Sequence, residues 1–339
     1  MRHPTKRSIK KLIYLEMIIL SVLLVVAVVV ISGLDKKPAP PTADETEPSK
    51  QAVFNEESLP PVTEAPITWK TFPADRQLTA ANYFVFDCNA NEYLIQSGKE
   101  DQQVYPASIT KLFTAYLICE TMILSPNKKC VVEQGVLDLV AYGSSVANLK
   151  AGDTITARQL MEGMLLCSGN DAAYMLACEA GRNFADNLTL SPAEAVRVFV
   201  GEMNRMAKEK GMLHTNFVNP DGIHDPNHYT TFHDLVIMAN LCSQYESIMG
   251  PSLTPEADIR LHDETVIWKN TNALIDPQSE YYCPYAIGLK TGQTASAGSC
   301  LLAAFRKDGR RLLIGVFGCP NTNDRFDDTL HLFNQIVLK

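Results

Sequence analysis

Twelve residues constrain this chain more than any others: Pro106-Ala107-Ser108-Ile109-Thr110-Lys111-Leu112-Phe113-Thr114-Ala115-Tyr116-Leu117. They set a serine and a lysine three residues apart, then run on with apolar residues at helical spacing. In a helix, positions i and i+3 share a face about one turn apart. The amine of Lys111 can therefore reach the hydroxyl of Ser108. Pro106 bars helix just upstream and places Ser108 in the first turn, where the helix dipole favours negative charge developing on its oxygen. A serine hydroxyl becomes a nucleophile when a neighbouring base takes its proton. A lysine buried beside it can lose its own proton and be that base. A Ser-x-x-Lys string also occurs on ordinary solvated helices, so the rest of the chain has to decide between the two readings.

The N-terminal part is of a different kind. Residues 1–11 carry Arg2, Lys6, Arg7, Lys10 and Lys11, and Leu12 to Leu34 is apolar except for Glu16, Ser21 and Ser32. The charge-free part, Met17 to Leu34, is 18 residues, near the minimum that spans a bilayer and longer than a usual signal-peptide core. No clear small-x-small cleavage site follows. Residues 1–34 thus read as a basic cytoplasmic tail and a single transmembrane helix, with the body outside the cell membrane. A cleaved signal peptide and a secreted body is the alternative. Residues 35–77 hold seven prolines between Pro38 and Pro66, mixed with Asp44, Glu45, Glu47, Glu56, Glu57 and Glu64. Such a segment buries too little apolar surface to order itself and reads as an extended linker.

The 339-residue chain is 46% apolar and 20% charged, and its body, 78–339, is long enough for one large globular domain or two small ones. Five basic residues against Glu16 put +4 on the first 34 residues, so the total of −8 leaves −12 on the rest. With no long basic run, nucleic acid is not an expected partner. Nine cysteines are scattered with no Cys-x-x-Cys pair, and several lie in apolar runs such as Met164-Leu165-Leu166-Cys167. They read as mostly free, buried thiols rather than a disulfide framework or zinc ribbon.

Two strands are predicted at Asn82–Asp87 and Glu92–Gln96, with a tight turn at Cys88–Asn91. The Ser108 helix should end before Pro126. Capping boxes at Thr156 and at Ser191-Pro192-Ala193-Glu194 open two further helices, the second lasting until Gly211. Thr231 starts another, through Leu241. Ser299–Phe305 and Arg311–Phe317 read as a hairpin around Lys307-Asp308-Gly309, and a last helix should run from Asp324 to Val337. Strands at both ends of the body and helices between them argue for one sheet built from the two ends with a helical middle inserted. There is no internal repeat.

Two more polar strings stand out. Cys167-Ser168-Gly169-Asn170-Asp171 lies between two helices, where Gly169 allows a sharp turn that projects Ser168 and Asn170 together. Lys290-Thr291-Gly292-Gln293-Thr294 follows the strand-like Tyr285–Leu289, where Gly292 lets a ligand approach the strand backbone. Each alone is an ordinary helix cap or strand end. His224 and His228 are four apart, but Pro220, Gly222 and Pro226 make their stretch a loop, so no metal site is expected. His228 is expected to fix that loop by hydrogen bonds. Trp69 and Trp268 suggest nothing specific.

Ser108-x-x-Lys111, Ser168-Gly169-Asn170 and Lys290-Thr291-Gly292, in this order, resemble the motif trio of the penicillin-recognising enzymes. From about Leu78 onward the chain resembles the low-molecular-weight penicillin-binding proteins, the serine-type D-Ala-D-Ala carboxypeptidases. Leu149-Lys150-Ala151-Gly152-Asp153 and Phe217-Val218-Asn219-Pro220-Asp221-Gly222-Ile223 belong to the same likeness. It implies an α/β (α+β) fold of the β-lactamase/DD-peptidase type: an antiparallel sheet flanked by helices, plus an inserted all-helical subdomain. It implies a cofactor-free, metal-free hydrolase that removes the terminal D-alanine from peptidoglycan stem peptides and is acylated by β-lactams. Ser108 would be the nucleophile and Lys111 its base, kept neutral by burial and by Lys290. Ser168 would relay protons, and Asn170 would orient the substrate amide. Lys290 and Thr291, with Gly292 between strand and ligand, would hold the terminal carboxylate. The N–H groups of Ser108 and Gln293 would form the oxyanion hole. Arg325 would bind the carboxylate as well; a surface arginine in the first turn of a helix is its alternative.

Many relatives add a β-rich second domain and a C-terminal amphipathic anchor. Here the sequence stops 14 residues after Arg325 and the anchor is expected at the N-terminus. A β-lactamase, a D,D-endopeptidase and a non-catalytic penicillin sensor remain as other readings. The first would need a deacylating glutamate in a Glu-x-x-Leu-Asn string, and none follows Asn170.

Overall fold

The structure is a computed structural model. It describes residues 77–99, 101–262 and 264–337, and the backbone of Thr68 and Trp69. The predicted spanning helix and most of the predicted linker lie outside the described residues. Among the described residues no helix is long and apolar enough to cross a membrane.

The strands of the main sheet and of a separate hairpin are β1 (Thr68–Trp69), β2 (Asn82–Asp87), β3 (Glu92–Gln96), β4 (Glu256–Leu261), β5 (Glu264–Lys269), β6 (Ala286–Thr294), β7 (Gly298–Lys307) and β8 (Arg310–Cys319). The main sheet has the order β1-β3-β2-β8-β7-β6. Its two halves come from opposite ends of the body and join where β2 pairs antiparallel with β8, Val85 opposite Ile314. The edge strand β1 runs parallel to β3, so the sheet takes two residues from the stretch read as linker. The β7–β8 turn carries Asp308 and Gly309 at φ +50° and +76°, the left-handed pair that a two-residue hairpin turn requires.

Alternation in the strands sorts side chains to two cores. Phe84, Phe86, Leu302, Ala304 and Leu313 face the helical half. Val85, Leu301, Ala303, Phe305 and Ile314 face Leu332 and Phe333 of the last helix. Gly315 makes room for this packing, because a Cβ there would stand 2.3 Å from the Phe84 ring.

The helices of eight residues or more among the described residues are α1 (Thr110–Thr121), α2 (Ala157–Leu165), α3 (Asn170–Phe184), α4 (Pro192–Glu209), α5 (Phe232–Cys242), α6 (Glu246–Leu253) and α7 (Asp324–Val337). Both predicted capping boxes form, at Thr156 and Ser191. Helix α1 is buried on every side from Thr110 to Ile118, so it shows no polar stripe and serves as the core between sheet and helical half. The β4–β5 hairpin and α6 were not expected from the sequence. The hairpin is half exposed and charged along both strands, and α6 contains Pro251, which masks the helical pattern. All nine cysteines are free thiols, and Cys130, Cys178, Cys242, Cys283, Cys300 and Cys319 are buried.

Candidate active site

The Ser108 turn is held from two sides. Ala107–Ile109 form a 3₁₀ turn that leads into α1, so Ser108 stands just ahead of the α-helix rather than in its first turn. Ala107 adopts φ +47°, a left-handed conformation costly for a residue with a Cβ. Two glycines, one from a distant loop and one from strand β6, close on it. A Cβ on Gly222 would lie 1.8 Å from the Ala107 carbonyl oxygen, and one on Gly292 would lie 2.8 Å from that of Pro106. Gly292 thus admits the Ser108 turn itself against β6, a close approach the sequence reading assigned to a ligand.

The i, i+3 spacing delivers its contact. Lys111 Nζ lies 2.8 Å from Ser108 Oγ and donates a 2.7 Å hydrogen bond to the Asp221 carbonyl oxygen. The amine is fully buried. Burial pulls it from its ordinary 10.5 to about 8, with Asp221, Cys167 and Asp171 opposing. A lysine so placed gives up its proton far more readily than a solvated one.

Ser168-Gly169-Asn170 forms the bend between α2 and α3. The left-handed residue is Ser168 itself (φ +61°), while Gly169 has φ −60°. Gly169 is required by space instead: a Cβ there would come within 2.9 Å of the Ala147 backbone nitrogen. Asn170 is 2% exposed, donates its N–H to the Ser145 carbonyl at 2.9 Å, and has a buried Oδ1 that no protein donor reaches. The Asp171 carboxylate clamps this bend. It accepts from the N–H groups of Ala147 (2.7 Å), Leu149 (3.0 Å) and Ala172 (2.8 Å).

Strand β6 is the free edge of the main sheet. A bulge between Ala286 and Leu289, with Gly288 and Leu289 both left-handed, turns the strand just before Lys290. Lys290, Thr291 and Gly292 are buried and Gln293 is exposed. Lys290 Nζ donates to Thr271 Oγ1 and the Thr291 carbonyl, both at 3.3 Å, and the Thr271 and Thr291 hydroxyls lie 2.5 Å apart. Burial first, then the charges of Lys111 and Arg325, hold Lys290 well below the usual lysine range. Arg325, in the first turn of α7, is only 6% exposed, so it is no surface arginine. Its Nη1 donates to the Gly292 carbonyl at 3.2 Å, and its Nε is buried with no protein acceptor.

Several supporting residues escaped the sequence reading. Asp221 lends its carbonyl to Lys111, and Thr114 Oγ1 binds the Pro220 carbonyl at 2.7 Å, tying the 219–228 loop along α1. His228 does fix this loop. Its Nδ1 accepts from the Val218 N–H at 3.2 Å, so its Nε2 carries the hydrogen toward Thr110 Oγ1 at 2.8 Å. Burial keeps it neutral, down to about 4. Trp268 is buried and donates Nε1–H to the Ala147 carbonyl at 3.0 Å, so β5 props the loop that Asp171 clamps.

The structure therefore brings Ser108, Lys111, Lys290 and Arg325 into one electrostatically coupled cluster, with the Ser168 bend beside Lys111 through Cys167 and Asp171. A serine on a helix start, a buried lysine within hydrogen-bond reach and backbone N–H groups at a sheet edge are the parts of an acyl-transfer site. Residues 69–321 match the peptidase S11 family, described as D-alanyl-D-alanine carboxypeptidase, and the chain belongs to that family. It is 31% identical over 233 residues to the D-alanyl-D-alanine carboxypeptidase DacF of Bacillus subtilis (strain 168), covering 68% of this chain and 56% of that protein. It is 31% identical over 237 residues to the D-alanyl-D-alanine carboxypeptidase of Streptomyces sp. (strain K15), covering 67% of this chain and 77% of that one. Against these and similar relatives the chain thus spans from just over half to about three quarters of their length. Among solved structures, the Streptomyces K15 DD-transpeptidase superposes with a TM-score of 0.69 at 28% identity, over 76% of this chain and 97% of that one. Penicillin-Binding Protein D2 from Listeria monocytogenes, in its cefotaxime-bound form, gives 0.64 at 26% identity, over 78% and 99%.

Proposed function

We propose that this chain is a serine D-alanyl-D-alanine carboxypeptidase acting on peptidoglycan stem peptides through an acyl-enzyme on Ser108. The observation that carries the reading is Lys111: fully buried, 2.8 Å from Ser108 Oγ and pulled to about 8. Lys111 takes the Ser108 proton as Oγ attacks the carbonyl carbon of the penultimate D-alanine. The N–H groups of Ser108 and Gln293 hold the oxyanion. The C–N bond then breaks, and Ser168 passes the proton to the leaving D-alanine amine. Water attacks the ester, Lys111 receives its proton, and that proton returns to Ser108 Oγ as the ester bond breaks. Lys290, Thr291 and Arg325 hold the terminal carboxylate. The Arg325 charge depresses the charged state of Lys290, so a carboxylate between them relieves a repulsion already present. Asn170 Oδ1, without a protein donor, accepts from the substrate amide.

Labelling of the full chain with a fluorescent penicillin, with mass mapping of the adduct and a parallel assay of D-alanine release, tests this reading. Label on Ser108 and released D-alanine are expected, and both vanish in Ser108→Ala. Fast penicillin hydrolysis would make the protein a β-lactamase instead. The likeness to a chain named a DD-transpeptidase supports a second outcome: transfer of the acyl group to an added amine such as glycine. The body is proposed to work outside the cell on the Leu12–Leu34 anchor, supported by the basic flank and the apolar run; external protease added to intact cells should reach it.

A further inference from the structure

The three motifs leave one buried acid near the site without a role. Asp221 is 1% exposed. Its Oδ1 accepts a 3.3 Å bond from the Ile223 N–H, and its Oδ2 has no protein donor within hydrogen-bond distance; burial pushes the carboxyl up, opposed first by the charge of Lys111 and then by the N–H groups of Ile223, Asp221 and Gly222. Its backbone, by contrast, is tightly held: its carbonyl binds Lys111 Nζ, and its neighbour Gly222 (φ +87°) is wedged under Ala107. The side chain therefore sits at a fixed place beside the Ser108–Lys111 pair with one oxygen uncompensated.

We infer that Asp221 is a positioning residue whose carboxylate supplies the negative field that keeps a proton on Lys111, and so sets the acid limb of the proposed reaction. The surrounding charges single it out. Asp171, also near Lys111, has both oxygens engaged by the N–H groups of Ala147, Leu149 and Ala172. The Cys167 thiol is pushed up to about 11 by burial and stays neutral. Arg325 of α7 adds positive charge to the same cluster and, after burial and Lys111, depresses the charged state of Lys290 of β6. On α3, Tyr174 feels Asp221 as well, and its hydroxyl stays protonated. On the shared loop, His228 is neutral, with His224 and Asp225 beside it. Asp221 is thus the acid whose charge acts on Lys111 first and on backbone N–H groups only after it. Arg325 pushes on Lys290 while Asp221 pulls on Lys111, so the two lysines are made unequal: the proton prefers Lys111 until substrate carboxylate arrives at Lys290.

The test is the pH dependence of penicillin acylation and of kcat/KM for a D-Ala-D-Ala peptide in Asp221→Asn. Loss of the field releases the Lys111 proton at lower pH, so the acid limb should move down by about half a pH unit or more, the order expected for a nearby opposite charge lying beyond ion-pair distance. A merely structural role would lower the rates and leave the limb in place. A folded, active Asp221→Asn whose limb matches the wild type overturns the inference. If that variant does not fold, ¹³C NMR of the wild-type chain decides. The Lys111 Cε signal should show a second inflection at the pH where the Asp221 carboxyl titrates; a single inflection overturns the role. The inference rests on the proposed reaction, but the NMR titration needs no turnover. Absent acylation in the wild type sinks the reaction, and an uncoupled titration sinks the role of Asp221.

Discussion

Replacing Lys111 by methionine removes a buried charge together with the proposed base, and the two consequences separate along the pH axis. In the folded chain Lys111 releases its proton near 8, against 10.5 when unfolded. At 1.36 kcal/mol per pH unit, holding it charged costs the fold about 3 kcal/mol at pH 7. The sign follows from the depressed value. Between 8 and 10.5 the unfolded chain binds the extra proton, so stability rises with pH through that window, and the penalty is present in full only below 8. From pH 7 to 9.5 the wild type should gain about 2 kcal/mol relative to Lys111→Met. Methionine also forfeits the bonds to Ser108 Oγ and the Asp221 carbonyl, but that loss hardly varies with pH and cancels in the difference. Lys290 adds to the effect, since without Lys111 beside it its own value recovers in the variant. Urea unfolding of both proteins at 25 °C across this range measures the difference. Penicillin acylation should fall by roughly 10²–10⁴-fold, the usual contribution of a general base. A wild-type advantage that stays flat or shrinks between pH 7 and 9.5 would refute the burial argument, whatever happens to activity.

Gly222→Ala combines a left-handed φ with a Cβ 1.8 Å from the Ala107 oxygen. It should cost more than about 1–2 kcal/mol by urea unfolding, and slow acylation roughly 10²-fold by displacing Ser108; unchanged acylation would contradict the clamp. Asp171→Asn leaves one of the buried N–H groups of Ala147, Leu149 or Ala172 facing another donor. A loss of about 1–3 kcal/mol is expected in the same assay. His228 stays neutral in the fold down to about 4, against 6.5 unfolded. As pH falls from 6.5 to 4 the unfolded chain takes the proton first, so up to about 3 kcal/mol of stability is lost. His228→Gln should lack that part of the acid slope, and an identical slope would show the ring to be protonated in the fold.

What was legible in the sequence is what one turn of chain decides. The Ser108–Lys111 contact depends on a single helical repeat, the capping boxes on four residues each, and the β7–β8 hairpin on its Asp308-Gly309 turn. The meeting of β2 with β8 followed from strands left over at both ends of the body. What was hidden depends on segments far apart in sequence. Gly292 admits Pro106 and Ala107, Gly169 admits Ala147, and Gly222 admits Ala107. In sequence each is only a glycine, which says that something comes close but not what. Asp171 and Asp221 had no role in the sequence because N–H groups of Ala147 and Leu149, and the lysine Lys111, reach them from other elements. Trp268 looked isolated for the same reason: its partner, the Ala147 carbonyl, lies 121 residues away.

The backbone carries a further regularity that ties these hidden contacts together. Ala107, Ser168 and Leu289 are left-handed without being glycine, and each adjoins or belongs to one of the three motifs. Such conformations cost roughly 1–2 kcal/mol apiece and persist where the surroundings over-determine them. Each is over-determined here: Ala107 by Gly222 and Gly292, Ser168 by the Asp171 clamp on Ala147 and Leu149, Leu289 by Gly288 and the β6 register. At each point the chain must reverse direction abruptly to turn a polar side chain out of a buried helix start, a helix junction or a sheet edge. A regular helix or strand would direct Ser108, Ser168 and Lys290 into separate walls. Three local strains, each fixed by its surroundings rather than by propensity, instead set the three motifs at the ends of buried elements, where Ser108, Lys111 and Lys290 fall in one electrostatic cluster.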